Sequence, residues 1–512
     1  MADATKNLDL PGDSRRTPFA IPDASEFKQK SARGGTVTML GQGMSMALQI
    51  GTTVILARLL LPSDYGLQAM VFTLTAFFSL FKDAGLSVAT VQRETLSQEQ
   101  ISTLFWLNVA LGAALTIVVA AAAPLLAAFY KQPHLLGITA ASATIFLFNS
   151  LSVQHRALLD RSMRFATNVK IDILCALIGS VVAIVLAFLG FGYWALICQN
   201  ISLPIVGTIA VWAAIPWIPG KPRWTPELRS MVRFGGTVTL NSVVVYIAYN
   251  MEKILLGRYW GAASLGIYGR AYQLATLPVQ QLIGAVHSIA FSVLSRMQGE
   301  AERLQRAYLK SLSLIVSLTI PVVISSAVFA DEIVRVLLGE KWMQAAPVLK
   351  LLAPTVMVLA LVNPFSWFLR ATGRVGRSLK IAFLICPVVI VGIVAGLRYG
   401  PRGVAMGYSA AMILLLVPLV AWSTYGTSIT FPAYWAAVRN PLFAGLMGGL
   451  AGWIFKRWSS GNLAPLPLLI LELTISFLVY AGILLFALNE KNFYFDLVRQ
   501  IVPQRQNSTT KT

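Results

Sequence analysis

The sequence predicts an all-α integral membrane protein of about fourteen transmembrane helices, and composition, apolar runs and charge distribution carry this prediction. Of its 512 residues, 56% are hydrophobic and 12% are charged, against roughly 25% charged in ordinary soluble chains. Apolar runs recur at lengths that suffice to cross a bilayer, which takes roughly 20 residues per helix. This composition excludes an ordinary soluble protein.

The apolar runs give the predicted spans in chain order. They are 34–57, 65–82, 102–129, 134–154, 171–191, 193–216, 234–257, 266–294, 311–330, 345–369, 381–398, 403–426, 441–456 and 463–488. The end segments 1–33 and 489–512 are predicted to be tails. The first of them is expected to be disordered, because it has no continuous apolar core.

Basic residues are distributed unevenly between the two faces that these spans define. An even number of spans puts both termini on one side, and 29 of the 41 Lys and Arg residues lie on that side. Cytoplasmic loops of membrane proteins carry the excess of Lys and Arg. We therefore predict that both termini are cytoplasmic, and we interpret the net charge of +20 as a sign of topology rather than of nucleic-acid binding.

An internal repeat relates the two halves of the chain. Gly-Gly-Thr-Val-Thr occurs at 34–38 and again at 235–239. Further on, a shift of 200 residues aligns three pairs, which are Leu56 with Leu256, Arg58 with Arg258 and Gly66 with Gly266. Because the first span maps onto the seventh in the same orientation, the repeats are predicted to be parallel and related by an axis along the membrane normal.

The repeat predicts the domain organisation. After the tail we expect an N-lobe of six helices at 34–216, a cytoplasmic linker at 217–233, a C-lobe of six helices at 234–426 and a C-terminal helix pair at 441–488.

Two predicted spans carry polar side chains along one helical face. The spacings alternate between three and four residues, which keeps the side chains on one side of a helix. Polar residues at membrane depth either join neighbouring helices or line a water-filled cavity, and two matched stripes favour the cavity. The members are Thr38, Gln42, Ser45, Gln49 and Thr52 in the first span, and Thr239, Ser242, Tyr246, Tyr249 and Lys253 in the seventh.

Ionisable residues inside membrane spans are costly and mark functional positions. The residues predicted to bind substrate are Arg58, Lys253, Arg258, Arg270, Gln42, Gln49, Tyr246 and Tyr249. Arg58 and Arg258 lie near span ends, where the alternative is that they extend to the membrane interface. The acidic candidates for a gate or a coupling group are Asp83, Asp172 and Glu252, and Glu472 in the last span has no assignable partner.

Motifs of several other protein classes are absent from the sequence. There is no GxxxxGK[ST] loop to bind phosphates, so ATP coupling through that device is excluded. There is also no HExxH motif and no Asp-x-Asp pair. We therefore predict no metal, no cofactor and no catalytic residues, and a protein that is not an enzyme.

Five segments in order carry a resemblance to a known family. They are ILARLLLPSDYG at 55–66, FKDAGLSVATVQ at 81–92, LGIYGRAYQLATLP at 265–278, FSVLSRMQGEAERLQRAY at 291–308 and LLGEKWMQAAPVLKLLAP at 337–354. Over residues 34–430 the chain resembles the bacterial flippases of lipid-linked oligosaccharides. These form the polysaccharide-transport branch of the multidrug/oligosaccharidyl-lipid/polysaccharide exporter superfamily.

The resemblance implies a fold, a substrate and partners. The fold is two pseudo-symmetric lobes around a cavity formed largely by helices 1, 2, 7 and 8, working by alternating access. The substrate is an undecaprenyl-diphosphate-linked oligosaccharide, moved from the cytoplasmic to the periplasmic leaflet of the inner membrane for exopolysaccharide or lipopolysaccharide biosynthesis. Basic cavity residues would hold the diphosphate. The implied partners are membrane lipids, a polysaccharide polymerase and a chain-length regulator.

Two alternatives stay open at this point. A cation-coupled multidrug exporter of the same superfamily is expected to carry an acidic residue in or beside helix 1, and 34–57 contains none. A polytopic glycan polymerase or glycosyltransferase is expected to have a sizeable extracytoplasmic segment with catalytic groups. The longest such segment predicted here is about 331–344.

Overall fold

The computed structural model describes residues 24–81, 97–223, 250–296, 301–372, 375–459 and 464–491, together with Thr90, Tyr246 and Tyr494. Every regular element in these ranges is helical. Eight of the described helices are long and apolar enough to cross a membrane. The prediction of an all-helical membrane protein is confirmed.

The helices are named here in chain order. They are α1 (Ala24–Leu59), α2 (Pro62–Ser79), α3 (Gln98–Ala121), α4 (Ala123–Tyr130), α5 (Leu135–Arg161), α6 (Phe165–Phe188), α7 (Tyr193–Ala214), α8 (Met251–Arg296), α9 (Ala301–Val328), α10 (Ala330–Leu337), α11 (Ala345–Ala371), α12 (Val375–Leu397), α13 (Gly400–Thr424), α14 (Phe431–Ser459) and α15 (Pro465–Gly482). A π-helical turn at Ile483–Ala487 extends α15.

Local sequence signals account for several helix ends. Ser97 and Gln100 form a capping box at the start of α3, where each side chain bonds to the other's backbone N–H. Pro62 begins α2, because its missing N–H has no partner to lose at a first helical position. Gly261 interrupts α8 with φ 78°, a backbone angle that favours glycine. The helix therefore divides into two arms.

The chain divides into two compact units. Unit 1 comprises Met1–Leu56 and Leu74–Val244, and unit 2 comprises Ala57–Thr73 and Val245–Thr512. The end of α1 and most of α2 group with the second unit, whereas the predicted N-lobe at 34–216 includes both. Close backbone contact between α2 and α8, described below, accounts for this difference.

Unit 1 has an aromatic core between α3, α5 and α7. The Phe105 ring lies edge-on to the rings of His155, Trp212 and Trp217. The imidazole of His155 stacks on Trp212 with centroids 4.4 Å apart, and its Nε2 lies 3.2 Å from the Trp217 carbonyl oxygen. His155 is therefore a buried structural group.

The segment that follows α7 is attached to the start of α3. The Trp217 indole donates to Gln98 Oε1 at 2.8 Å, and the Gly220 N–H donates to Ser102 Oγ at 2.9 Å. Arg223 pairs with Glu99 at 2.8 Å. The first residues of the predicted linker 217–233 are thus held against unit 1, and its remainder lies outside the described residues.

Unit 2 has its core between α9, α11, α13 and α14. Tyr308 packs against Phe365 and Phe368 with ring centroids 5.5 and 5.1 Å apart. Phe365 in turn stacks on Tyr434 at 5.3 Å. The helices α9 and α11, which contribute to this layer, also pack against α8.

Candidate functional site

The two arms of α8 fold back on each other at Gly261. Lys253 Nζ lies 5.8 Å from the centroid of the Tyr272 ring. In a straight helix these two residues would be about 28 Å apart. Lys253 lies eight residues before Gly261 and Arg270 lies nine residues after it. The two basic groups are therefore at nearly equal depth, about 12 and 13.5 Å along their arms from the kink.

Arg270 is held by an aromatic ring and an amide. Its guanidinium carbon lies 3.8 Å from the centroid of Tyr65 in α2, within the range of a cation–π interaction. Its Nη1 donates to Gln273 Oε1. Tyr65 is 3% exposed, and its ring meets Trp342 edge-on at 5.2 Å. One side of the guanidinium is thus fixed by rigid neighbours.

Lys253 is half-buried and oriented by polar groups. Its Nζ donates to Asn250 Oδ1 at 2.8 Å, and Asn250 Nδ2 donates to the Tyr246 carbonyl oxygen at 2.9 Å. The Tyr246 hydroxyl donates to the Thr73 carbonyl oxygen in α2 at 2.7 Å. A short polar chain therefore links Lys253 to the helix that also carries Tyr65.

In the part of the chain that the structure describes, neither basic group forms an ion pair. Among the described residues, no carboxylate lies within salt-bridge distance of Lys253 or Arg270. Glu252 is 1% exposed and forms no ion pair with Lys253, since adjacent residues of a helix face different directions. Two half-buried cations that form no salt bridge with a described carboxylate make a site suited to a negatively charged ligand.

Small residues allow α2 and α8 to approach closely. A Cβ on Gly66 would overlap the Ala262 carbonyl oxygen, and a Cβ on Gly266 would overlap the Pro62 carbonyl oxygen. The two contacts are equivalent under the shift of 200 residues that aligns Gly66 with Gly266. The predicted repeat thus matches a symmetric pair of backbone contacts, which places Tyr65 against Arg270.

The other two basic candidates lie near the ends of their helices. Arg58 is exposed, and its Nη2 donates to the Val336 carbonyl oxygen at 2.9 Å. Lys341 donates to the Arg58 carbonyl oxygen at 3.3 Å. Arg258 lies 6.0 Å from the centroid of its neighbour Tyr259. Arg58 therefore has structural contacts with the last turn of α10 and with Lys341 in the segment after it, and its role in binding stays a prediction.

The side chains of the polar stripe of α1 differ in their surroundings. Gln42 and Gln49 are exposed, whereas Thr52 is buried and donates to Ser180 in α6 at 2.7 Å. Thr52 thus joins two helices. Asp172 forms a partly exposed ion pair with Arg156 at 2.8 Å. Asp83 and Tyr249 lie outside the described residues.

Sequence reasoning missed the aromatic and amide groups that surround the cations. Tyr65, Tyr272 and Asn250 became visible only through contacts across the fold. Tyr65 and Tyr272 belong to two of the segments that carry the family resemblance, which is the signal that could have indicated them.

Comparison with known sequences identifies the family. The family described as polysaccharide biosynthesis protein matches residues 55–347. The chain is similar to the teichuronic acid biosynthesis protein TuaB of Bacillus subtilis (strain 168), with 28% identity over 59% of this chain and 62% of that protein. It is also similar to the lipopolysaccharide biosynthesis protein WzxC of Escherichia coli (strain K12), with 25% identity over 76% of this chain and 80% of that protein. The succinoglycan biosynthesis transport protein ExoT of Rhizobium meliloti (strain 1021) has 26% identity over 80% of this chain and 81% of its own length. The chain thus spans less than two thirds of TuaB and about four fifths of the other two.

Comparison with solved structures identifies the fold. The lipid II flippase MurJ in an inward closed conformation superimposes with a TM-score of 0.71 and 16% identity, covering 91% of this chain and 100% of that chain. An inward-facing multidrug resistance MATE family transporter of the MOP superfamily gives a TM-score of 0.59 and 15% identity, over 75% of this chain and 97% of that chain. At such identities the likeness shows the fold alone. The relatives are proteins of a transporter family, so the prediction that the chain is not an enzyme is confirmed. The chain belongs to the polysaccharide biosynthesis protein family, and it shares the helical fold of these two solved structures.

Proposed function

We propose that the protein flips undecaprenyl-diphosphate-linked oligosaccharide repeat units from the cytoplasmic to the periplasmic leaflet of the bacterial inner membrane. The observation that carries this proposal is the pair of half-buried cations, Lys253 and Arg270, which have no carboxylate partner among the described residues. A diphosphate supplies the missing negative charge.

The depth of the pair supports a ligand that crosses the membrane. The hydrocarbon core is about 30 Å thick, and the kink at Gly261 is proposed to lie near its surface. Residues about 12 to 13.5 Å along the arms from that kink are then close to the middle of the bilayer. A cation at that depth is costly without a counter-charge, so a transported anion explains why the two residues are there.

Membrane physics favours export of such a head group. A diphosphate with about two negative charges gains roughly 4.6 kcal/mol per 100 mV on leaving an inside-negative cell, at about 2.3 kcal/mol per charge. The remaining barrier is the removal of the charge from water, which Lys253 and Arg270 would offset through charge-assisted hydrogen bonds. The lipid tail can stay in the bilayer while the head group crosses.

The architecture we propose has fourteen spans. Eight helices meet the length and hydropathy requirement, and α1, α2, the two arms of α8, α12 and α14 supply the others. Four of these six are the helices proposed to line the cavity, and a polar lining lowers their hydropathy. The spans are proposed to form an N-lobe at 34–216, a C-lobe at 234–426 and a helix pair at 441–488, with both termini cytoplasmic and alternating access between the lobes.

The relatives support the substrate class. ExoT is described as a succinoglycan biosynthesis transport protein, and WzxC as a lipopolysaccharide biosynthesis protein. By analogy, a polysaccharide polymerase and a chain-length regulator are the proposed partners of this chain. They would use the repeat units that it delivers.

The leaflet location of the lipid-linked repeat unit tests the proposed function. In spheroplasts of a strain without this protein, the intermediate should accumulate and be protected from an added lectin or glycosidase. Restoring the protein should make it accessible, and restoring Lys253→Ala at equal abundance should not. An intermediate that is already accessible in the deletion strain would refute flipping and favour a role in polymerisation.

A further inference from the structure

The C-terminal helices α14 and α15 pack through glycines on two sides of α14. Gly445 and Gly449 lie against Ile320 and Ile324 of α9. Gly448 and Gly452 lie against α15, where a Cβ on Gly448 would be 2.6 Å from the Ser476 carbonyl oxygen. Glycines at this spacing allow close contact between membrane helices. The predicted C-terminal helix pair is therefore tightly packed together and against α9.

This packing encloses the carboxyl group of Glu472. Its side chain is 0% exposed, and a Cβ on Gly452 would lie 3.4 Å from the Glu472 carbonyl oxygen. Neither carboxyl oxygen has a hydrogen-bond partner among the described residues. A buried carboxylate without donors or a paired cation is strongly unfavourable, whereas a neutral carboxylic acid is much less so.

An ion network lies beside this carboxyl group and is already balanced. Lys456 of α14 donates to Glu332 of α10 at 2.8 Å and lies 3.7 Å from Asp331. Lys350 of α11 donates to Asp331 at 2.6 Å. Two lysines thus face two carboxylates. Among the described residues, the charges of Glu332 and Lys456 act on Glu472, and an ionised Glu472 would leave the cluster with one excess negative charge.

We infer that Glu472 is a proton-binding site. In the arrangement described, the Glu472 carboxyl group holds its proton, because Lys456 is bonded to Glu332. When the proton leaves for water, the new carboxylate competes with Glu332 for the Lys456 ammonium group. Release of the proton is thereby linked to the contact between α14 and α10. The binding site does not depend on the substrate, whereas its use as a coupling site in transport rests on the proposed function.

Infrared spectroscopy of the purified full-length protein tests the site without substrate. A protonated carboxyl group without hydrogen bonds has a C=O stretching band separate from those of carboxylates and amides. We expect this band at neutral pH in the native protein and its loss in Glu472→Gln. It should persist in Glu340→Gln, a matched control whose side chain is 72% exposed. Glutamine is neutral and of similar size, so this variant should fold as the protonated protein does.

A second variant tests the link to the ion network. Glu332→Gln frees Lys456 to pair with an ionised Glu472, so the band should disappear at a lower pH than in the native protein. An absent band in the native protein, a band that persists in Glu472→Gln, or an unchanged titration in Glu332→Gln would overturn the inference. A band that appears only when Na⁺ is removed would also overturn it, because the site would then hold Na⁺. Flipping that fails while the band behaves as expected would refute the proposed function and leave the proton site intact.

Discussion

Replacing Lys253 with alanine should remove transport while leaving the fold intact. Lys253 Nζ bonds to Asn250 Oδ1 at 2.8 Å, and no carboxylate among the described residues forms an ion pair with it. Loss of the hydrogen bond to the neutral Asn250 side chain costs about 1 kcal/mol in the free energy of unfolding. A hydrogen bond from the ammonium group to a diphosphate contributes about 1.5 to 3 kcal/mol, so the variant should bind the substrate roughly 10- to 150-fold more weakly.

The assay for this prediction is flipping in proteoliposomes. Lipid-linked oligosaccharide is incorporated with purified protein, and the fraction accessible to an added lectin is followed over time at several substrate concentrations. Lys253→Arg keeps the charge and should be milder than Lys253→Ala. Lys341→Ala removes an exposed lysine that bonds to the Arg58 carbonyl oxygen at 3.3 Å, and it should flip at the native rate.

If Lys253→Ala flips the substrate at the native rate, with the same protein content and thermal stability as the native protein, the assignment of Lys253 to the diphosphate is refuted. The double variant Lys253→Ala with Arg270→Gln adds a further check. If both groups bind one diphosphate, their effects on affinity should not be additive, because residues that share a partner are coupled. Additive effects would mean that the two cations act on separate ligands.

Three other perturbations have defined outcomes. Gly66→Ala should destabilise the detergent-solubilised protein by about 1–3 kcal/mol, because the new Cβ would overlap a backbone oxygen. The control Gly269→Ala has nothing within 4 Å of its new Cβ, so it should be neutral or stabilising. Equal losses of thermal stability in the two variants would contradict the close contact between α2 and α8. Tyr65→Phe should flip at the native rate, because the buried hydroxyl has no partner among the described residues. Tyr65→Leu should weaken substrate binding, because it removes a cation–π contact worth about 0.5–2 kcal/mol, and flipping measured over a series of substrate concentrations tests this. Burial raises the pKa of Asp331, but the hydrogen bond and charge of Lys350 and the charge of Lys456 outweigh this effect and lower the pKa below its ordinary value of 3.8. The ion pair between Asp331 and Lys350 therefore stabilises the fold at pH values above 3.8. The difference in Tm between the native protein and Lys350→Met should therefore be present at neutral pH and disappear as the pH falls through the lowered pKa, and a difference that persists in acid would exclude the ion pair as its cause.

Hydropathy predicted helix bounds well where one apolar run forms one helix, and less well where a helix begins with charged turns or where one apolar run contains two helices. The predicted span 345–369 lies within α11, which runs from Ala345 to Ala371. The predicted span 311–330 starts ten residues after α9 begins at Ala301, because the first turns of that helix are charged. The predicted span 102–129 joined α3 and α4, since their break at Ala122 lies inside one apolar run.

The candidate site was only partly predictable for a different reason. Charge at membrane depth identified Lys253 and Arg270 from the sequence alone. Their neighbours come from sequence positions far apart, as with Tyr65 and Arg270 at 3.8 Å. Such contacts depend on how closely α2 approaches α8, and a sequence pattern does not give that distance. The same holds for Glu472, whose enclosure depends on glycines of another helix.

The proposed repeat duplicates the scaffold of the site but not its charge. The glycine contacts between α2 and α8 are equivalent in the two halves. Under the same shift of 200 residues, Lys253 corresponds to Thr53 and Arg270 corresponds to Met70. A symmetric pair of cationic sites would bind an anionic head group equally in either half. Because Lys253 and Arg270 have no basic counterparts in the first half, we expect the diphosphate to be bound by unit 2. The neutral counterpart positions are then free to differ with the sugar, whose hydroxyls need hydrogen-bonding partners rather than charge.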